Sequence, residues 1–210
     1  MLIKYHEQIT RKALKDHVSV PVLETIIQAN KKQDGLRYQL GHSHFHFDNN
    51  AFNESYAYIR EQRELLFSNL KKKQPNNARE NFGRLSHTAQ DLYAHSNYVD
   101  LWLQKNESNS LPDIDSIDPF DDRILDNPEL RSGRLYYPLE ILSFIPGLGK
   151  LLLPLFPGDS HARMNLDGPG SGFRYSYAFS AAVKRTRIEF VGIINALPPG
   201  GNVLFTGVGQ

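Results

Sequence analysis

The sequence predicts an all-α fold in a single domain, and three observations carry that expectation. Apolar residues recur at helical spacing over five long stretches, Pro, Asp-Gly and Asn-rich punctuation separates them, and strand-like alternation is confined to one short segment. No internal repeat is visible. A chain of 210 residues, 40% of them hydrophobic, is enough for one sizeable core, so residues 1–210 are read as one domain, a multi-helix bundle with long loops.

Ile9, Ala13, Leu14 and Val18 define a first amphipathic helix, with His6 at its start. Ser19 and Pro21 open a second that runs to about Lys32 with Leu23, Ile26 and Ile27 inward, and Asp34-Gly35 ends it. Asn49 to Asn53 cap a third, reaching about Lys72 through Tyr56, Ile59, Leu66 and Leu70. The run Lys71-Lys72-Lys73 suits a helix C-terminus through the macrodipole and is read as a solvated end.

Gln74-Pro75 turns into a central helix spanning Asn81 to Leu103. After it, residues 103–136 form a loop-rich insertion full of Asp, Ser, Asn and Pro. Its six aspartates between Asp113 and Asp126 lack the glycine and closing glutamate of a calcium-binding EF-hand loop, which leaves a solvated loop. The apolar stretch 136–161 is broken by Pro138, Pro146, Pro154 and Pro157, so only short helices fit there. It is read first as core. Its alternative is a lipid-facing lip making peripheral membrane contact through residues 139–156. Phe173 to Leu197 is a last long helix, and residues 198–210 are a flexible tail.

The central helix carries His87, Asp91 and His95 at i, i+4 and i+8, which stack on one stripe. At 1.5 Å rise per residue the two histidines stand roughly 12 Å apart, too far for one ion with ligand bonds near 2 Å. Asp91 bridging two neighbouring ions satisfies the spacing, and two-metal sites serve mainly phosphoester and amide hydrolysis. In YQLGHSHFHFDNNAFN, His42, His44, His46 and Asp48 alternate at period two, so an extended segment would turn them to one side. His46 and Asp48 are the stronger metal candidates of that segment, His42 and His44 the weaker. His161 is followed by Asn165 and Asp167, and of eight histidines only His17 falls outside these groups.

The composition excludes some chemistry. Without cysteine there are no disulfides and no thiolate ligands. A net charge of +1 gives no reason to expect duplex nucleic acid as partner. No signal-like apolar run opens the chain and no stretch is apolar enough for a membrane span, so a soluble protein is expected, with its compartment left open.

HEQIT near the start, HFDN at His46 to Asn49 and, above all, HTAQDLYAHSNYVDL from His87 to Leu101 resemble the heterokaryon-incompatibility C (Het-C) family. That family is similar to the superfamily of zinc-dependent phospholipase C and P1 nuclease, and the likeness spans about residues 5–190. It implies an all-helical fold of that type and two or three zinc ions held by His6, Asp48, His87, Asp91, His95 and His161, with Asp91 bridging. It implies phosphodiester hydrolysis by zinc-activated water, with Asp48 as general base where it is not taken up as a ligand. The secreted phospholipases place a glutamate four residues after the last histidine; Asn165 stands there in this chain, and Asp167 is the substitute. They also ligate zinc through their mature N-terminal residue, whereas here five residues precede His6. The expected substrate is a phospholipid or another phosphodiester. A P1-like nuclease acting on single strands, with Tyr93, Tyr98 and Trp102 as stacking platforms, is the enzymatic alternative. A membrane-active, death-triggering module with structural metals is the non-catalytic one.

Overall fold

The computed structural model describes residues 1–39, 41–106, 110–137 and 152–209. Among these residues the regular structure is helical, with two isolated bridges, Ser96 to Ser132 and Arg134 to Ser160, as the only strand-type pairings. The helices longer than one turn are α1 (Ile3–Leu14), α2 (Val20–Lys32), α3 (Phe52–Lys71), α4 (Pro75–His95), α5 (Tyr98–Lys105), α6 (Arg174–Ala196) and α7 (Gly201–Thr206).

Helix α4 is the axis of the bundle. It packs against α2, α3 and α6, and every residue from Leu85 to His95 is buried. Covered on all sides, such a helix must satisfy its polar side chains internally. Close approach is set by small residues: a Cβ on Gly83 would lie 2.5 Å from the Ile26 carbonyl oxygen and 2.7 Å from Ala29 Cβ of α2. On α6, Ala178, Ala181 and Ala182 are fully buried.

The expected helix Asn81 to Leu103 is two helices. α4 stops at His95, Ser96 is extended, and α5 begins at Tyr98. The carbonyls that would continue the ladder are taken by distant loops: Leu166 N donates to Ala94 O (2.7 Å) and Gly133 N to His95 O (2.9 Å).

The insertion is a strap tied to the core rather than a solvated loop. Ile117 and Ile124 are fully buried, and the Tyr93 and Tyr98 hydroxyls donate to Pro119 O (2.7 Å) and Asp118 O (2.6 Å). Tyr93, Tyr98 and Trp102 are therefore core residues and offer no stacking surface.

The tail is ordered in its described part. α7 seats Phe205 against Phe82 and Phe190, and Arg79 donates to Phe205 O (3.0 Å) and Leu204 O (2.9 Å). Most of the proposed lip, residues 139–151, lies outside the described residues; Leu153–Leu155 form one 3-10 turn with Leu155 exposed and Phe156 buried. No described helix is long and apolar enough to cross a membrane.

Candidate metal centre

The period-two segment is not extended. Ser43–Phe45 and Asp48–Asn50 are 3-10 turns, and Phe47, Asn49 and Asn50 sit in the left-handed region. Asparagine tolerates that conformation. Asn49 and Asn50 do not cap α3; their side chains accept from Leu135 N (2.8 Å) and Ser132 N (2.6 Å), tying this turn to the 132–135 loop. Phe47, fully buried, anchors the kink between His46 and Asp48.

As a result the segment splits. His46 and Asp48 turn inward to α4, while His42 stacks on Phe45 (4.8 Å between centroids) and His44 packs against Phe45 and Tyr58, away from the cluster. His17 is exposed. His6, His46, Asp48, His87, Asp91, His95, His161 and Asp167 come together around the C-terminal half of α4.

Three groups each have their ligand atoms within 4.8 Å of one another: His6, Asp34 and His87; His46, His87 and Asp91, which shares His87 with the first; and Asp48, His95 and His161. Asp91 faces both ways. Its Oδ2 lies 3.0 Å from both His46 Nδ1 and His87 Nε2, while Oδ1 lies 3.1 Å from His6 Nε2 and 3.6 Å from His95 Nε2. Asp48 Oδ1 is 2.8 Å from His161 Nδ1 and 3.4 Å from His95 Nδ1. Asp167 lies 3.6 Å from His95 Nε2 and, 29% exposed, stands where the cluster meets solvent. The amino group of Met1 also reaches in, 2.8 Å from Asp91 Oδ1 and 2.7 Å from His95 Nε2.

Buried amides set the imidazole tautomers. Gln90 Nε2 donates to the Thr10 (3.1 Å) and Thr186 (3.0 Å) hydroxyls, which leaves Gln90 Oε1 to accept from His6 Nδ1 at 2.7 Å. His6 Nε2 is thus the nitrogen with a free lone pair, and it points at Asp91 without a hydrogen bond. Asn30 Nδ2 donates to Ser86 and Gln90, so Asn30 Oδ1 accepts from His87 Nδ1 (3.4 Å), which makes Nε2, 3.1 Å from His46 Nδ1, the lone-pair nitrogen of His87. A second residue's oxygen fixing the far nitrogen is the arrangement that orients metal-binding histidines.

The electrostatics are those of crowded buried charge. Burial pushes the His87 imidazole down to about 4, helped by His6. Burial would also lower His95, but Asp91 overrides it and holds that imidazole up at about 10. Burial would raise the Asp91 carboxyl; His95, the Met1 amine, His6 and His87 outweigh it and keep it well below its ordinary range. Asp48 and Asp167 are depressed against burial in the same way, Asp48 chiefly by His161 and His95, Asp167 chiefly by the Met1 amine and His95. The carboxylates thus stay ionised and draw cationic partners to themselves.

Sequence reasoning missed Asp34, Gln90 and Asn30. Asp34 reads locally as a helix stop before Gly35, yet its carboxylate comes within 3.6 Å of His87. Asn30 and Gln90 each sit one helical turn from an inward-facing residue, Ile26 and His87, and that periodicity was the available signal.

No curated protein and no solved structure matches the chain. The VWA7 N-terminal domain family matches residues 7–119, a span that carries Asp34, His46, Asp48 and the whole His87–Asp91–His95 stripe and leaves out His6, His161 and Asp167. That span is more than half of the 210 residues, and the chain belongs to the VWA7 N-terminal domain family.

Proposed function

We propose that this cluster is a multinuclear zinc centre and that the protein is a phosphodiester hydrolase of phospholipase C type, related to Het-C and to the phospholipase C and P1 nuclease superfamily. The observation that carries the proposal is the set of three neighbouring, largely buried His/Asp groups, two of them sharing His87 and the third brought next to them by the 3.6 Å approach of Asp91 to His95. Zinc takes tetrahedral sets of imidazole and carboxylate, which is what these groups offer. The fit has independent support: His6 Nε2 and His46 Nε2 are buried without hydrogen-bond partners, and unpaired polar atoms in a core are costly.

Bound zinc supplies water activation at neutral pH and positive charge against the phosphate. The chain supplies the rest. Gln90 and Asn30 hold His6 and His87 in the tautomers that present Nε2, Asp91 ties the groups together, and Asp34 closes the set on the α2 side. Asp48, with Oδ1 between His95 and His161, is the carboxylate placed to accept a proton from water there. Asp167, partly exposed beside His95, marks the side from which a phosphodiester would enter.

The test is elemental analysis of purified protein combined with headgroup release from phosphatidylcholine vesicles. Two or three zinc ions per chain with release of the phosphorylated headgroup is the expected result. Zinc-loaded protein that leaves phosphatidylcholine and related phospholipids intact overturns the phospholipase proposal; cleavage of single-stranded DNA by that protein identifies the nuclease instead, and vesicle dye leakage without headgroup release the non-catalytic module.

Gln90 gives a second test. Gln90→Leu removes the acceptor for His6 Nδ1, and zinc affinity is expected to fall by about 10–100-fold, as for other outer partners of metal ligands. Gln90→Glu keeps that acceptor and is expected to retain most of the affinity. A chelator competition titration separates the two outcomes.

A further inference from the structure

Away from the His/Asp groups, a groove of about 460 Å³ runs between α3 and α6, with Phe120 of the 110–137 strap as a third wall. Its lining has three arginines, Arg60, Arg63 and Arg185, against one acid, Glu189. Glu189 is shared: Arg185 Nε donates to its Oε1 at 2.9 Å and Arg63 pairs with its Oε2. Arg185 is only 3% exposed, its guanidinium lies 4.2 Å from the Phe120 ring centroid, and its Nη1 has no hydrogen-bond partner. The Tyr56 hydroxyl in the same lining is also buried and lies beside the Arg185 guanidinium.

Buried donors beside an excess of cationic charge favour a ligand that accepts hydrogen bonds and carries negative charge. The remaining wall, Ile59, Phe67, Ile188 and Ala196, is apolar and asks for a hydrocarbon body. Volume limits that body, because 460 Å³ lies toward the small end of ligand pockets.

We propose that this groove binds a small amphipathic carboxylate, a medium-chain fatty acid or its like, with the carboxylate received by Arg185, Arg63 and Tyr56 and the chain laid along Ile59, Phe67 and Ile188. The site shares no residue with the metal-type groups and does not depend on the hydrolase proposal. A carboxylate takes charge-assisted hydrogen bonds from guanidinium nitrogens that Glu189 leaves free, Arg185 Nη1 among them. An alcohol of the same length would leave the excess charge unanswered, and a cation would be repelled.

Isothermal titration of the full chain with decanoate below its micellar concentration tests this, beside decanol and decyltrimethylammonium. Decanoate is expected to bind at least about tenfold tighter than either, the worth of one charge-assisted hydrogen bond. Gly192 lines the same groove, and a Cβ there meets nothing within 4 Å, so Gly192→Leu starts its side chain in open space and extends it over the groove. That variant is expected to abolish decanoate binding while its melting temperature stays level or rises, since glycine is a poor helix former. Tyr56→Phe, which keeps the ring, is expected to weaken decanoate several-fold and leave decanol unchanged. No binding of decanoate, equal binding of decanol, or undiminished binding by Gly192→Leu overturns the assignment.

Discussion

Asp91→Asn is expected to remove more than one zinc ion per chain, whereas His95→Ala is expected to remove one. The difference follows from how the two side chains are shared. Asp91 turns Oδ2 to His46 and His87 and Oδ1 to His6 and His95, so both of its oxygens are engaged in different directions. Replacing the carboxylate by an amide keeps the shape but removes the charge and turns one of the two acceptors into a donor. Whichever way the amide faces, one side of the centre meets N–H in place of a lone pair and every side loses the bridging charge. His95 stands at one end of the set, between Asp48 and Asp167, and its loss leaves the His6, Asp34, His87 and His46 side intact. Elemental analysis of the two variants at matched protein concentration reads the difference. Headgroup release is expected to fall by more than about 100-fold in Asp91→Asn, beyond the range seen when only an outer partner of a ligand is lost. Equal zinc loss in both variants would show that Asp91 serves one ion only.

The fold and the centre were legible in the sequence to different depths. Helices α1, α2, α3 and α6 follow directly from apolar spacing, because each has one buried face and one wet one. The His87–Asp91–His95 stripe was equally plain, since four-residue spacing on a helix is geometry rather than packing. The end of α4 was not. NYVDLW continues the helical pattern past His95, and the break is made by Gly133 and Leu166, residues remote in sequence, which take its last carbonyls. The kink at Phe47 is hidden for a related reason: period-two alternation predicts an extended segment only where a neighbouring strand accepts the ladder, and none is at hand among the described residues. Asp34 shows a third limit. Its local context specifies a helix stop, and its approach to His87 exists only once α2 and α4 are packed.

That packing is the origin of the second large effect. Gly83→Val is expected to destabilise the protein by about 3 kcal/mol, the upper end of overpacking costs, and by more if α2 cannot move. The clash falls on backbone as well as side chain. A Cβ at this position sits 2.5 Å from Ile26 O, 2.7 Å from Ala29 Cβ and 2.9 Å from Asn30 N, all on α2, so rotamer changes cannot relieve it. Either α2 withdraws or the helices shear. Both displace Asn30, whose side chain joins Ser86, Gln90 and His87 across that contact. Stability and zinc affinity are therefore expected to fall together in Gly83→Val, with a loss of roughly 6–12 °C in melting temperature for a domain of this size. Gly192→Ala is the control: it lies near the C-terminal end of α6 where an added Cβ meets nothing within 4 Å, and helix propensity alone predicts a gain of up to about 1 kcal/mol. Calorimetry on the two variants, with zinc content measured on each, distinguishes a helix–helix contact that positions the centre from one that only fills space: in the second case Gly83→Val would lose stability and keep its zinc.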